Sequence, residues 1–297
     1  MDNLKDKRIL VTGGNGYLGS HLVAALKLSG AKVYVIDQVA GNTDNEYSLD
    51  INNSSRLQEV VEEVQPQIIY HLAAVLNRQR NFDRHDQTML VNYYGTLNLL
   101  KAMQNIDYGN FIFTSTSEVY GNNPAPFNEN QLPDPCSPYS LSKIFAEQVI
   151  KTYSRLAGKN FTILRLFNFF GKNMPMGFFI PQLFHSFQHN IPFDMTGGEQ
   201  IRDFLFVDDV VSAMLLVATN HNSFNQVFNV CSGNGISLKK LALEVKNRFK
   251  KDCPLNIGKL QYQCDEIWNM VGDNSKIKKS LGFKPQYNLA EAIELLF

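Results

Sequence analysis

The sequence predicts an α/β fold: a doubly wound parallel sheet with a smaller C-terminal part that covers a substrate. Three observations predict it. Short apolar runs alternate with helical patterns up to about residue 166. The first run, residues 9–11, leads into a turn with glycines at Gly13, Gly16 and Gly19, and then into a helical pattern. After Phe167 the alternation stops, and residues 168–200 are rich in Phe, Gly and Pro.

The elements follow in order. Residues 8–12 read as a buried parallel strand, and 20–28 as a helix with Leu22, Ala25 and Leu26 at helical spacing. Between them the glycines let the backbone tighten and approach a pyrophosphate, with the helix N-terminus facing its charge. Asp37 ends the next apolar run, 32–36, at the distance where a carboxylate takes the hydroxyls of an adenosine ribose. The pattern is that of a Rossmann-type dinucleotide site; the alternative is a structural turn. A carboxylate at 37 repels a 2′-phosphate, and no Arg or Lys occurs in 38–47, so NAD is expected rather than NADP.

Residues 38–46 read as loop, 47–51 as a short strand containing Asp50, and 56–64 as an amphipathic helix. A buried strand at 67–72 leads into Ala73 and Ala74. A single helix is expected over 88–105, then a strand at 110–114, a long helix at 138–157 and a strand at 161–166. Short strands return at 205–207 and 227–230, with a helix at 208–219 between them. Residues 238–249 form a helix, and 273–297 carry two short helical patterns around Gly282 and Pro285. The expected division is a cofactor domain over 1–167, rejoined by 205–230, and a mainly substrate-binding part over 168–297.

Bulk properties exclude several classes. In 297 residues, 28 basic and 28 acidic side chains cancel, so nothing favours nucleic acid or a membrane surface. No apolar run approaches the roughly 20 residues of a membrane span, and no signal-peptide pattern opens the chain; a cytoplasmic protein is expected. Cys136, Cys231, Cys253 and Cys264 lack metal or redox spacing and read as reduced thiols. His185 and His189 would share a helix face, but without a third ligand nearby no metal is expected.

Tyr139 and Lys143 form the one Tyr-x-x-x-Lys in the chain. On a helix they share a face, and a cation beside a phenol lowers its pKa, making it a usable acid or base. The pair follows Ser137-Pro138, about 20 residues beyond a polar strand end, 115–118.

Together these stretches resemble the extended short-chain dehydrogenase/reductases, specifically the NAD-dependent nucleotide-sugar epimerase/dehydratase family. The matching segments are TGGNGYLG at 12–19, HLAA at 71–74, VNYYGT at 91–96, STSEVYG at 115–121, SPYSLSK at 137–143, LRLFN at 164–168, IRDFLFVDDV at 201–210 and LGFKP at 281–285, with Asp37 and Asp50-Ile51. They keep the family's order along nearly the whole chain. The resemblance implies that Tyr139 exchanges a proton with a sugar hydroxyl while Lys143 holds the nicotinamide ribose, and that Thr116 bonds the same sugar oxygen. It places Tyr17, Leu18, Leu72, Ala73, Ala74 and Asn92 beside NAD, and Asp50 and Ile51 near adenine. Ser117, Asn168, Phe179 and Arg202 would meet a nucleoside-diphosphate sugar. Arg202 suits a phosphate, though a salt bridge to Asp203 or Asp209 is the alternative. Residues 178–181 resemble the segment over the nucleotide base, or are an ordinary apolar core loop. The resemblance also implies a homodimer paired through helices 88–105 and 138–157, both with apolar residues beyond one stripe.

Glu118 departs from the simple 4-epimerases and resembles the 4,6-dehydratases and UDP-glucuronate decarboxylases. There a carboxylate can remove the proton next to a 4-keto group; alternatively Glu118 orients substrate or caps its loop. Ser117 stands where glucose-type dehydratases carry an acid. The stretch 198–211 also resembles 4-ketoreductases of deoxysugar pathways. Arg78, Arg80 and Arg84 depart from the family and would bind phosphate, substrate or a partner, or start a solvated helix. The expected function is an epimerase or dehydratase working through a 4-keto intermediate. The alternatives are a reductase or decarboxylase, or a non-catalytic NAD sensor, which the intact Thr116, Tyr139 and Lys143 disfavour.

Overall fold

The computed structural model describes residues 4–39, 41, 43–77, 81–249 and 253–297. Seven strands form one sheet: β1 (Arg8–Thr12), β2 (Lys32–Asp37), β3 (Glu46–Ser48), β4 (Ile68–His71), β5 (Asn110–Thr116), β6 (Phe161–Leu166) and, far later in the chain, β10 (Gln226–Val230). Their order is β10-β6-β5-β4-β1-β2-β3, every pairing parallel. From β1 the chain builds outward through β2 and β3, then crosses back to β4 and builds the other way. The carboxyl ends of β1 and β4 therefore flank the point where the order reverses, which is where open α/β sheets bind ligands.

Helices cover both faces. On one lie α1 (Tyr17–Leu28) and, from the second half of the chain, α7 (Val207–Val217), packed over Val11, Ile112 and Phe228. On the other lie α2 (Ser54–Val64), α4 (Gly95–Ala102) and α5 (Pro138–Ala157), packed over Leu10, Ile69 and Phe113, with the short α3 (His85–Met89) set against α5. Both faces are buried, so the strands read as unbroken apolar runs rather than alternating ones.

The second part adds β7 (Asn168–Phe170), α6 (Phe179–His189), β8 (Phe193–Met195), β9 (Ile201–Phe206), β11 (Gly235–Ser237), α8 (Leu238–Phe249), β12 (Leu255–Ile257), β13 (Asn269–Met270), α9 (Ser275–Leu281) and α10 (Leu289–Glu294). β9 is the centre of a small mixed sheet, with β7 and β13 parallel to it and β11 antiparallel. β8 and β12 pair separately.

Three expectations change. The helix expected over 88–105 is α3 and α4 joined by a π-helical turn, Leu90–Tyr94. The Thr96 hydroxyl donates to the Asn92 carbonyl at 2.7 Å, competing with the backbone ladder where it widens. The strand expected to 51 stops at Ser48, because the Asp50 carboxylate accepts from the Asn52 backbone and side chain and folds a turn. Residues 168–200 do contain a helix: α6 buries Ile180, Leu183 and Phe187 at helical spacing, so the segment 178–181 is its N-cap and first turn.

Candidate active site

A cavity of about 520 Å³ opens at the reversal point and runs from the glycine turn to β9 and β13. Its first wall is the turn itself. Gly13 has φ of +73°, and a Cβ there would stand 2.7 Å from the Ala73 nitrogen, so β1 and β4 approach closely only with glycine. Gly16 caps α1 without any side-chain hydrogen bond, leaving the first-turn N–H groups to the cavity. Gly13, Gly16, Tyr17, Leu18, Gly19, Leu72 and Ala74 line this end. Asp37 stands at the end of β2, its carboxylate accepting from the backbone N–H of Asn15 at 3.0 Å and of Val39 at 3.1 Å.

The middle wall comes from β5 and α5. The Ser137 hydroxyl caps α5 and exchanges bonds with Ser140, and Pro138 opens the helix; this fixes its start one residue before Tyr139. Thr116, Ser117, Glu118, Tyr139 and Lys143 all line the cavity. Lys143 is buried, and its Nζ donates to the Thr114 carbonyl at 2.8 Å and lies 6.0 Å from the Tyr139 ring centre. Burial pushes its pKa down to about 7, against the opposing pull of Glu147. The Thr116 hydroxyl accepts from the Glu118 backbone at 3.2 Å, and the Ser137 hydroxyl donates to the Glu118 carboxylate at 3.5 Å. Glu118 thus lines the cavity together with Tyr139.

The far wall holds Asn168, Phe179 and Arg202. Arg202 pairs with neither Asp203 nor Asp209. Its guanidinium donates to Glu266 at 2.6 Å and to the Ile267 carbonyl at 2.7 Å. Asp203 accepts instead from the Ser232 hydroxyl and backbone and from Gly233, and Asp209 accepts from the Gln286 and Tyr287 backbone. Ser117 and Asn168 both donate to the Met270 thioether, at 3.2 and 3.6 Å.

A model of the NAD dependent epimerase/dehydratase family matches residues 9–231. The chain belongs to that family. A putative UDP-glucose 4-epimerase from Methanocaldococcus jannaschii is 31% identical, over 96% of both chains. Among solved structures, the UDP-glucose 4-epimerase of Thermotoga maritima with UDP-glucose is similar at TM-score 0.88 and 29% identity, covering 97% of this chain and 96% of its own. The UDP-glucuronic acid 4-epimerase of Bacillus cereus, with UDP-glucuronic acid and NAD, is similar at TM-score 0.87 and 27% identity, covering 97% of each.

As a member of this family the protein is an NAD-dependent enzyme. Its residues fit the cofactor: an uncapped helix N-terminus and a close-packed glycine turn suit a pyrophosphate, and Asp37 suits a ribose. Not every expected contact lines the cavity. Asp50 folds its own turn. Ile51 packs beneath Gly95, where a Cβ would meet its methyl at 2.6 Å. Ala73 presents its backbone to Gly13. The Asn92 amide is spent on both backbone groups of Val75 and on the Ser142 hydroxyl, so it clamps the segment after β4 rather than reaching a ligand. Arg84 is exposed ahead of α3; Arg78 and Arg80 lie outside the described residues. His185 and His189 lie on one face of α6, their ring centres 4.3 Å apart and their planes tilted by 37°. Glu266, Gln263, Met270 and Gln200 line the cavity without having been singled out in the sequence. Among the described residues no helix is long and apolar enough to cross a membrane.

Proposed function

We propose that the enzyme inverts C4 of a nucleoside-diphosphate sugar through a 4-keto intermediate, with NAD kept through the cycle. The observation that carries this reading is that Thr116, Tyr139 and Lys143 line the same cavity as the uncapped α1 N-terminus. The Tyr139 oxygen takes the proton of the sugar 4-hydroxyl as the C4–H bond breaks, leaving a C4 carbonyl. Bound NAD would supply the acceptor and donor for the C4 hydride, and inversion requires the 4-keto sugar to turn its other face to it before C4 is reduced. Tyr139 then gives its proton back to the sugar oxygen. Thr116 bonds that oxygen, Lys143 favours the phenolate, and Arg202 takes the diphosphate by its planar fork.

Glu118 supports a second reading, dehydration, in which it removes the C5 proton of the 4-keto sugar and water leaves from C6. That route also calls for an acid at the leaving hydroxyl. At 117 stands a serine whose hydroxyl is directed at Met270, so epimerisation is preferred. In the test, the enzyme is stripped of free nucleotide and offered UDP-, GDP- and dTDP-hexoses while product and reduced-cofactor absorbance are followed. An epimer formed without net cofactor change supports the proposal. Loss of one water from the sugar means dehydration. Strict one-for-one consumption of added NADH or NADPH means a reductase.

A further inference from the structure

Behind the cavity wall lies a buried pair that the chemistry above does not use. Glu147, one helical turn beyond Lys143 on α5, is fully buried. Arg165 on β6 grips it with two donors, Nε to Oε1 at 3.0 Å and Nη2 to Oε2 at 2.8 Å. The Ser115 hydroxyl on β5 adds a third bond, to Oε1 at 2.6 Å. Lys151, one further turn along α5, reaches Oε2 at 3.4 Å. The Arg165 guanidinium lies over the Tyr120 ring, 4.8 Å from its centre.

A buried ion pair is a weak source of stability, because desolvation cancels most of the attraction, and apolar side chains often serve as well. Its position suggests another use. Tyr139, Lys143 and Glu147 recur every four residues along one face of α5, while Thr114, Ser115 and Thr116 are consecutive on β5. Lys143 bonds Thr114, and Glu147 bonds Ser115, the residue before Thr116. Ser115 and Arg165 are direct partners across the β5–β6 ladder, so Glu147 ties the helix to both strands at one point. Two bonds to adjacent residues of one strand define both the axial position and the rotation of α5. Apolar packing alone permits sliding by fractions of an ångström.

We propose that Glu147, clamped by Arg165 and Ser115, is a positioning residue that sets the register of α5 on β5 and thereby the approach of Tyr139 to the oxygen held by Thr116. This rests on the acid–base role proposed for Tyr139. Misplacement of a reacting group by about 1 Å costs on the order of 10²-fold in rate, while ground-state binding is left largely intact.

The experiment pairs Glu147→Leu with Arg165→Met in one variant, and tests Ser115→Ala and Tyr139→Phe beside it. The double variant is expected to keep the thermal midpoint of the native enzyme within a few degrees, with KM for the sugar unchanged and kcat lowered on the order of 10²-fold. Ser115→Ala leaves the ion pair intact and cuts its link to β5, and is expected to lower kcat about ten-fold at constant KM. A folded double variant with kcat within three-fold of the native enzyme overturns the proposal. If the double variant does not fold, Ser115→Ala decides, and native kcat there overturns it equally. Tyr139→Phe separates the two readings: if that variant turns over, the acid–base role has failed, whereas an inactive Tyr139→Phe beside an active double variant removes only the positioning role.

Discussion

The Nζ of Lys143 and the carbonyl oxygen of Thr114 meet at 2.8 Å, inside the wall between the dinucleotide turn and the far side of the cavity. A long, flexible cation is thereby held in one place, 4.6 Å from the Phe113 ring centre and on the same side as Tyr139. Methionine keeps an unbranched stem of four heavy atoms, as lysine has before its ammonium, and removes both donor and charge. Lys143→Met is expected to lower turnover by about 10²- to 10³-fold, because Tyr139 loses the cation that favours its phenolate. NAD affinity should fall as well. Steady-state rates and a fluorescence titration with NADH check both.

Arg202 is held in a fork by Glu266 and the Ile267 carbonyl. A planar guanidinium keeps a fixed, flat set of donors at this wall of the cavity, a geometry that suits a diphosphate and that a single ammonium does not reproduce. Arg202→Lys should raise KM for the nucleotide sugar about ten-fold or more, with kcat changed little and NAD affinity unchanged. An equal loss in NAD affinity would place Arg202 on the cofactor instead.

His71 lies between two threonines, Nδ1 at 2.7 Å from the Thr12 hydroxyl and Nε2 at 2.8 Å from that of Thr96. Burial pushes its pKa down to about 3, and the charge of Lys143 adds to the effect. Between pH 6.5 and 3 the unfolded chain binds a proton that the native protein refuses, so stability falls as pH drops through that window. One such group contributes a slope of about 1.4 kcal/mol per pH unit. His71→Gln should flatten urea-unfolding stability between pH 6.5 and 4.5 by that amount. Equal slopes in the two proteins would mean that His71 titrates normally.

The parts of the site readable from sequence are those built by local rules. Ser137-Pro138 and Gly158 bracket α5, so its bounds and the shared face of Tyr139 and Lys143 follow from caps and period alone. The run into Gly13 marks β1, and the acid 24 residues later marks the end of β2. Glu266 and Met270 carried no such signal. They reach the cavity because two residues of β13 pair with Ile201 and Arg202, a contact spanning more than 60 positions. The π-helical turn was equally hidden, since Thr96 bonds back to Asn92 while its oxygen also meets His71 on β4. Asn92 itself is a polar residue in a family segment whose partners, Val75 and Ser142, emerge only in three dimensions.

The face of α5 turned away from the sheet carries apolar residues that this chain alone does not cover. Phe145 is 42% exposed on α5, Leu90 50% and Tyr94 51% exposed on the π-helical turn beside it. Tyr93 lies between them, its ring 5.0 Å from that of Tyr94 and 6.0 Å from that of Phe145, so the exposed groups form one patch rather than scattered positions. Contiguous apolar patches on a folded chain mark interaction surfaces, and a two-fold interface sets the same patch against itself. The patch lies on the opposite side of α5 from Glu147 and Lys143, so it can be altered without touching the cavity wall. Light scattering at micromolar concentration is expected to give the mass of two chains. Phe145→Glu combined with Leu90→Glu should give one chain, because two carboxylates per copy would be desolvated against each other at the symmetry axis. NADH titration of that variant should still show binding, since the glycine turn and Asp37 lie elsewhere on the sheet. A native protein that scatters as a single chain overturns the prediction.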